Sequence, residues 1–200
     1  VIADTADNPG AGGDSDTTGM LRALVAADAR RAALGVVADA ASARIAHAAG
    51  VGALVRLALG GKSGIAGDAP FEAEFVVEAL SNGEFVAPGP YFGGRRMELG
   101  PSACLRIGDV RVVLASHKVQ LADQEMYRYV GIEPTAQAIL VNKSSVHFRA
   151  DFEPIAGALL ICAAPGAMPA DPAALPWRRL RPGIRLKPNG PVFETLQSAR

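Results

Sequence analysis

The stretch LGVVADAASARIAHAAGVGALVRLALGGK, Leu34–Lys62, sets the expectation for the fold. LGVVADA (Leu34–Ala40) is a short apolar, β-branched run bounded by polar residues and reads as a strand. Ala40–Ala49 is alanine-rich and reads as a short helix that Gly50 stops, and GALVRLALGGK (Gly52–Lys62) reads as a strand ending on two glycines and a lysine. Upstream, Val1–Thr5 reads as a strand that runs into a loop rich in glycine and acid. Thr17 or Thr18 is placed to cap a helix from Met20 to about Ala33, because a hydroxyl there accepts from the free amides of the first turn. Strand, helix, strand, helix, strand at this spacing is the pattern of βαβ units and predicts a parallel sheet.

Further along, the character changes. FEAEFVVEAL (Phe71–Leu80) alternates in part, turn signals follow at Asn82-Gly83 and Pro88-Gly89-Pro90, and Ser102–Ser116 reads as two strands joined by Gly108-Asp109. An antiparallel β insertion over about 71–116 is expected. The α/β rhythm then returns: Asp123 caps a helix through Val130 that Gly131 ends, Gln137–Ser145 is a strand, and Gly157–Gly166 is a last buried strand. From about 167 to 200 the proline-rich sequence predicts an extended tail. The predicted class is α/β, a largely parallel sheet flanked by helices with an antiparallel β-hairpin insertion, in one domain over 1–200.

Bulk properties narrow the function. The 200 residues carry 20 basic and 20 acidic side chains and half are hydrophobic, which argues against disorder and against a nucleic-acid partner held by net positive charge. No apolar run approaches the roughly 20 residues of a membrane-spanning helix. Cys104 and Cys162 lie in apolar, strand-like segments and read as free thiols in a reducing, cytoplasmic setting. The chain opens without methionine, directly in a strand, which suggests a domain cut from something longer.

In open α/β sheets ligands bind beyond the carboxyl ends of the strands. Three polar junctions fall there if their strands are parallel: Asp4 to Gly13, Gly60-Gly61-Lys62, and Asn142 to His147. The first matches neither GxGxxG nor GxxxxGK[ST], so no nucleotide is signalled; its glycines serve either a solvated turn or an anion nest, which its own carboxylates oppose. Lys62 is either an exposed turn residue or a partner for a carboxylate or phosphate. NKSSVHFRA is the densest cluster, with Lys143, Ser144, Ser145, His147 and Arg149. A serine two or three residues from a histidine on one element rarely makes the needed hydrogen bond, so His147 and Arg149 read better as substrate-facing groups than as part of a nucleophile pair. The three histidines are scattered and the cysteines lack CxxC spacing, so no metal ligand set is assigned.

Taken in order, DTADNPGAGGDSDTTGMLRAL, AGVGALVRLALGGK, GPSACLRIGDVRVVLAS, VNKSSVHFRADFEPIA and LPWRRLRPGIRL resemble the C-terminal domain of the microcystinase C (MlrC) metallopeptidase family. The resemblance implies a zinc-dependent peptidase whose zinc lies in an N-terminal domain absent from this chain, acting on small peptides. On that basis His147 and Arg149 are the expected catalytic groups. Asp4, Asp7, Asn8, Gly10, Gly60, Gly61, Lys62, Lys143, Ser144 and Ser145 are the expected substrate-binding ones. The expected partners are that N-terminal domain and a peptide substrate, and an apolar face left by the missing domain predicts homodimerisation or poor solubility. Two positions depart from the family pattern: Ala11 interrupts the glycines of the first loop, and His117 stands where arginine is expected. The competing reading is a non-catalytic α/β module that binds a small anion or docks a partner domain.

Overall fold

A computed structural model of the chain describes residues 1–194. Two compact units are distinguished, Val1–Met168 and Pro169–Arg200. The first begins with β1 (Ile2–Asp4), α1 (Gly19–Ala26), β2 (Ala32–Ala38), α2 (Ala40–Ala49) and β3 (Leu54–Leu59). Five strands follow: β4 (Phe71–Ser81), β5 (Glu84–Ala87), β6 (Arg95–Glu98), β7 (Ser102–Ile107) and β8 (Val110–Ala115). It closes with α3 (Glu125–Arg128), β9 (Ile139–Asn142), α4 (Arg149–Phe152) and β10 (Leu160–Cys162). Among its described residues the second unit holds a 3-10 turn at Pro172–Ala174 and a single bridge between Arg185 and Val192, the sparse structure its prolines predict; 195–200 of the expected tail lie outside the described residues. Among the described residues no helix is long and apolar enough to cross a membrane.

Eight strands form one mixed sheet in the order β10-β1-β9-β2-β8-β7-β4-β3, and β5 and β6 form a separate antiparallel pair. The class is α/β as expected. Strands β10, β1, β9, β2 and β8 are mutually parallel, while β7, β4 and β3 continue the sheet antiparallel. The antiparallel segment expected over 71–116 is therefore present, but three of its five strands are built into the main sheet, with β8 directly beside β2.

A register shift between Leu34 and Val37 interrupts the alternation of β2, and its two faces carry different cores. Leu34 and Val37 pack with Met20, Leu21 and Leu24 of α1 and with Ala43 and Ala46 of α2. Ala33 and Val36 face Met126 and Tyr127 of α3, Phe152 of α4 and Phe148 just before it. Buried on both faces, β2 reads as an unbroken apolar run, as central parallel strands do.

Three expectations are corrected. The helix predicted to about Ala33 ends at Ala26 in a Schellman closure, with Asp28 at φ 48° and the Ala29 amide donating to Leu24 O; aspartate rather than glycine holds the left-handed position, which hid the stop. The strand predicted to be buried over Gly157–Gly166 is the three-residue edge strand β10, with Leu160 and Ile161 more than half exposed. Most consequentially, β3 is not parallel to β2. It pairs antiparallel with β4 at the far edge of the sheet. Its exposure alternates strictly, with Arg56 outward and registered opposite Glu74, which is the signature of an antiparallel strand covered on one face.

Candidate functional site

β1 and β9 are parallel neighbours, so the segments leaving their carboxyl ends, Thr5–Thr18 and Lys143–Phe148, meet at one edge of the sheet. Gly60–Lys62 reaches the same edge by another route. Four strand spacings of about 4.8 Å would hold β2 and β3 roughly 19 Å apart laterally in a flat sheet, with their carboxyl ends at opposite ends of it. Yet the Gly60 amide donates to Asp39 Oδ2 at 3.1 Å, so the sheet curls back on itself, helped by the register shift between Val77 and Ala79 in β4. Gly60 has φ +58°, and a Cβ there would lie 2.3 Å from Asp16 O, so only glycine fits. The Gly61 amide donates to the same carbonyl, and Asp16 takes the Lys62 and Ser63 amides on its carboxylate. Lys62 Nζ donates to Asp39 Oδ2 at 2.6 Å. Burial would raise the Asp39 carboxyl, but Lys62, Ser42 and the Gly60 amide together hold it below the ordinary value.

The centre of the junction is a buried knot. Lys143 is fully enclosed, and its Nζ donates to Asp4 Oδ2, Asp7 Oδ2 and Thr17 Oγ1, each at 2.9 Å. Both oxygens of Asp7 are further satisfied, Oδ1 by the Ser15 amide and Oδ2 by the Thr17 amide and hydroxyl. Burial alone would push the Asp7 carboxyl up, but Lys143 and Thr17 outweigh it and hold it down. Asp4 goes the other way: burial dominates and raises it, consistent with an Oδ1 that has no partner among the described residues. Lys143 is raised despite its burial by the two carboxylates. The Ser144 hydroxyl is buried and unpartnered among the described residues, as is Thr5 Oγ1.

Around this knot the chain is tied by side chains to backbone. Asn8 accepts the Gly10 amide and donates to Ser145 Oγ at 2.9 Å, and Ser145 donates to Thr5 O. Ala11 has no positive φ while Gly12 does, at 96°, so the alanine that departs from the expected glycine run is accommodated without strain. His117, the other departure, contacts Glu98 O through Nδ1 at 3.3 Å, away from these side chains.

His147 and Arg149 lie at the surface beyond the knot. They line an open pocket of about 390 Å³ with Pro90, Tyr91, Val146 and Ala150. The Tyr91 ring stacks on His147 with centroids 4.1 Å apart, and His147 Nδ1 lies 3.1 Å from Gln120 Oε1. Arg149 gives one arm to Glu153, four residues on in the helical turn, at 2.8 Å; the guanidinium has further donors for a ligand. Tyr91 has no signal in the linear sequence, since it sits in a turn between β5 and β6 far from the histidine it covers. A larger hollow of about 560 Å³ opens at the amino ends of β1 and β9, lined by residues such as Ile2, Pro134, Ile139 and Leu160, and no titratable side chain faces it. Size therefore does not locate the chemistry.

The expected residues thus divide. Asp4, Asp7, Lys143 and Ser144 are enclosed and have no surface to offer a substrate. Asn8, Gly60, Gly61 and Ser145 hold the loops together, while Gly10, Lys62, His147 and Arg149 reach solvent. A metal fits poorly here: the ammonium of Lys143 stands between the two acidic side chains, and among the described residues no three His, Cys, Asp or Glu side chains gather as a metal requires. Burial also lifts the Cys104 thiol to about 12, so it offers no thiolate.

Comparison with known proteins gives this geometry its context. A crystal structure of a protein from Mesorhizobium sp. BNC1 that bears the name of a metallopeptidase superposes with a TM-score of 0.80 at 27% identity, over 91% of this chain and 37% of that one. Microcystinase C of a Sphingomonas species is 28% identical over 152 residues, which is 76% of this chain and 29% of that protein. The chain thus spans about three-tenths of the length of that curated relative. Residues 2–179 match the family described as the MlrC C-terminus, and the chain belongs to that family.

Proposed function

We propose that this chain forms a wall of the substrate cleft in an MlrC-like, zinc-dependent peptidase, with His147 and Arg149 facing a small peptide. The observation that carries this reading is the pocket around Tyr91, His147 and Arg149, set at the carboxyl end of a parallel strand where α/β proteins bind ligands. An imidazole there can exchange a proton with a water or a leaving amine. A guanidinium beside it can hold a substrate carboxylate or a developing oxyanion. The Lys143 knot lies directly behind and fixes the loops that carry both groups. In this reading zinc belongs to an N-terminal part of a longer protein, and the protein works in the cytoplasm, where two unpaired cysteines are stable.

The anion-binding alternative has less support. The Ser15 and Thr17 amides are committed to Asp7, the Gly10 amide to the Asn8 side chain and the Gly13 amide to Asn8 O, so few donors remain for an external anion.

Peptide hydrolysis by the longer protein that this reading requires is the test. His147→Ala and Arg149→Ala are expected to lower kcat by about 10²-fold or more with the fold intact by circular dichroism. An unchanged kcat in both would sink the reading. Zinc measured on this chain after dialysis is expected to be negligible. About one zinc per chain, lost in His147→Ala, would instead place the metal centre here.

A further inference from the structure

We propose that Gln120 and Tyr91 are positioning residues that hold His147 as its Nδ1-protonated tautomer, with the lone pair on Nε2 left for the pocket. The proposal rests on the reading of His147 as a cleft residue. An amide oxygen only accepts, so the 3.1 Å contact between Gln120 Oε1 and His147 Nδ1 assigns the ring hydrogen to Nδ1. Nε2 is then the nitrogen that takes a proton or accepts a hydrogen bond from a ligand.

Both clamps are themselves held. Gln120 is buried, and the next residue, Leu121, donates its amide to Lys143 O, which ties this segment to the carboxyl end of β9. Gly10 leaves the space that Gln120 occupies, since a Cβ at that position would lie 2.8 Å from Oε1. This gives the glycine loop a task that a solvated turn would not have: it backs the residue that orients His147. On the other side, Tyr91 lies nearly parallel to the imidazole, at 25°. Its turn is fixed by the Gly89 amide donating to Asp123 Oδ2 at 2.6 Å and by the Gly93 amide donating to Gly89 O at 2.8 Å. A hydrogen bond in the ring plane and a stack on the ring face restrain different motions. The bond selects the tautomer and the stack stops the ring from turning out of the pocket.

The experiment is long-range proton–nitrogen NMR of the histidine side chains in the nitrogen-15-labelled 200-residue chain at pH 8, with His147 identified by its loss in His147→Gln. The wild type should show Nδ1 as the protonated nitrogen and Nε2 as the bare one. Gln120→Leu should move the hydrogen to Nε2, whereas Gln120→Glu, which still accepts, should keep it on Nδ1 and serves if the leucine variant fails to fold. Tyr91→Ala should remove the ring-current shift of the His147 protons and bring up the second tautomer, and Tyr91→Phe should restore the wild-type pattern. A wild-type His147 protonated on Nε2, or a Gln120→Leu pattern identical to wild type, overturns the proposal. A tautomer as expected, with kcat untouched by both His147→Ala and Arg149→Ala in the longer protein, overturns the cleft reading instead.

Discussion

Lys143 and His147 come from one short motif, NKSSVHFRA, and have opposite fates. The lysine is sealed between Asp4 and Asp7 with every donor used, while four residues later the histidine lies open beside Tyr91. The first is an anchor whose removal strands two buried carboxylates. The second is a surface group that costs the fold little. Polar residues four positions apart are thus divided between a sealed anchor and an open surface by burial alone, which no spacing rule reports.

The largest effect that would test this division is on stability. Lys143→Met leaves Asp4 and Asp7 buried without their cation and should destabilise the chain by about 3–5 kcal/mol in urea unfolding. A loss below about 1 kcal/mol would mean that the knot is not the anchor described. Gly60→Ala comes next. Its Cβ would press on Asp16 O at a backbone angle that alanine disfavours, for an expected loss of about 2 kcal/mol. Ser145→Ala removes the hydroxyl that links Asn8 to Thr5 O and should cost about 1 kcal/mol.

The pH dependence sharpens the contrast within the knot itself. Asp7 sits below its ordinary 3.8, so the stability it contributes is present above that value and lost as pH falls through its folded value. The gap between wild type and Asp7→Asn should narrow as the solution is taken below pH 3.8. Asp4 is raised, so its contribution is full below 3.8 and fades as pH rises, and Asp4→Asn should gain on the wild type in that direction. Parallel gaps for both variants between pH 3 and 7 would contradict the assignment. The smallest expected change is the stability of His147→Ala, within about 0.5 kcal/mol of wild type, set beside its large loss of kcat in the longer protein.

Much of this was legible in the order of residues. β1, β2 and β9 are each largely apolar, and the Asp4–Gly13 and Asn142–His147 junctions do converge because their strands are parallel neighbours. Gly60–Lys62 also converges, but for a reason that the βαβ rhythm misassigned. The alternation around Arg56 and its complement at Glu74 carried the correct pairing, and they outweigh the rhythm because a strand covered on one face cannot sit in the middle of a doubly covered sheet. Tyr91 carried no such signal, since a stacking partner in a distant turn leaves no period or spacing to read.

By itself the sequence determined the order of most strands and helices, though not every boundary, because periodicity, capping and glycine placement act over a few residues. It also determined that acid, lysine and histidine lie where strands end. Tertiary structure alone decided the order of the parallel strands, which of those polar groups are sealed and which are open, and that Tyr91 and Gln120 flank His147. Strand order and burial depend on the summed packing of residues far apart in the chain, and the curl that carries Gly60 to Asp39 exists only once the whole sheet has formed.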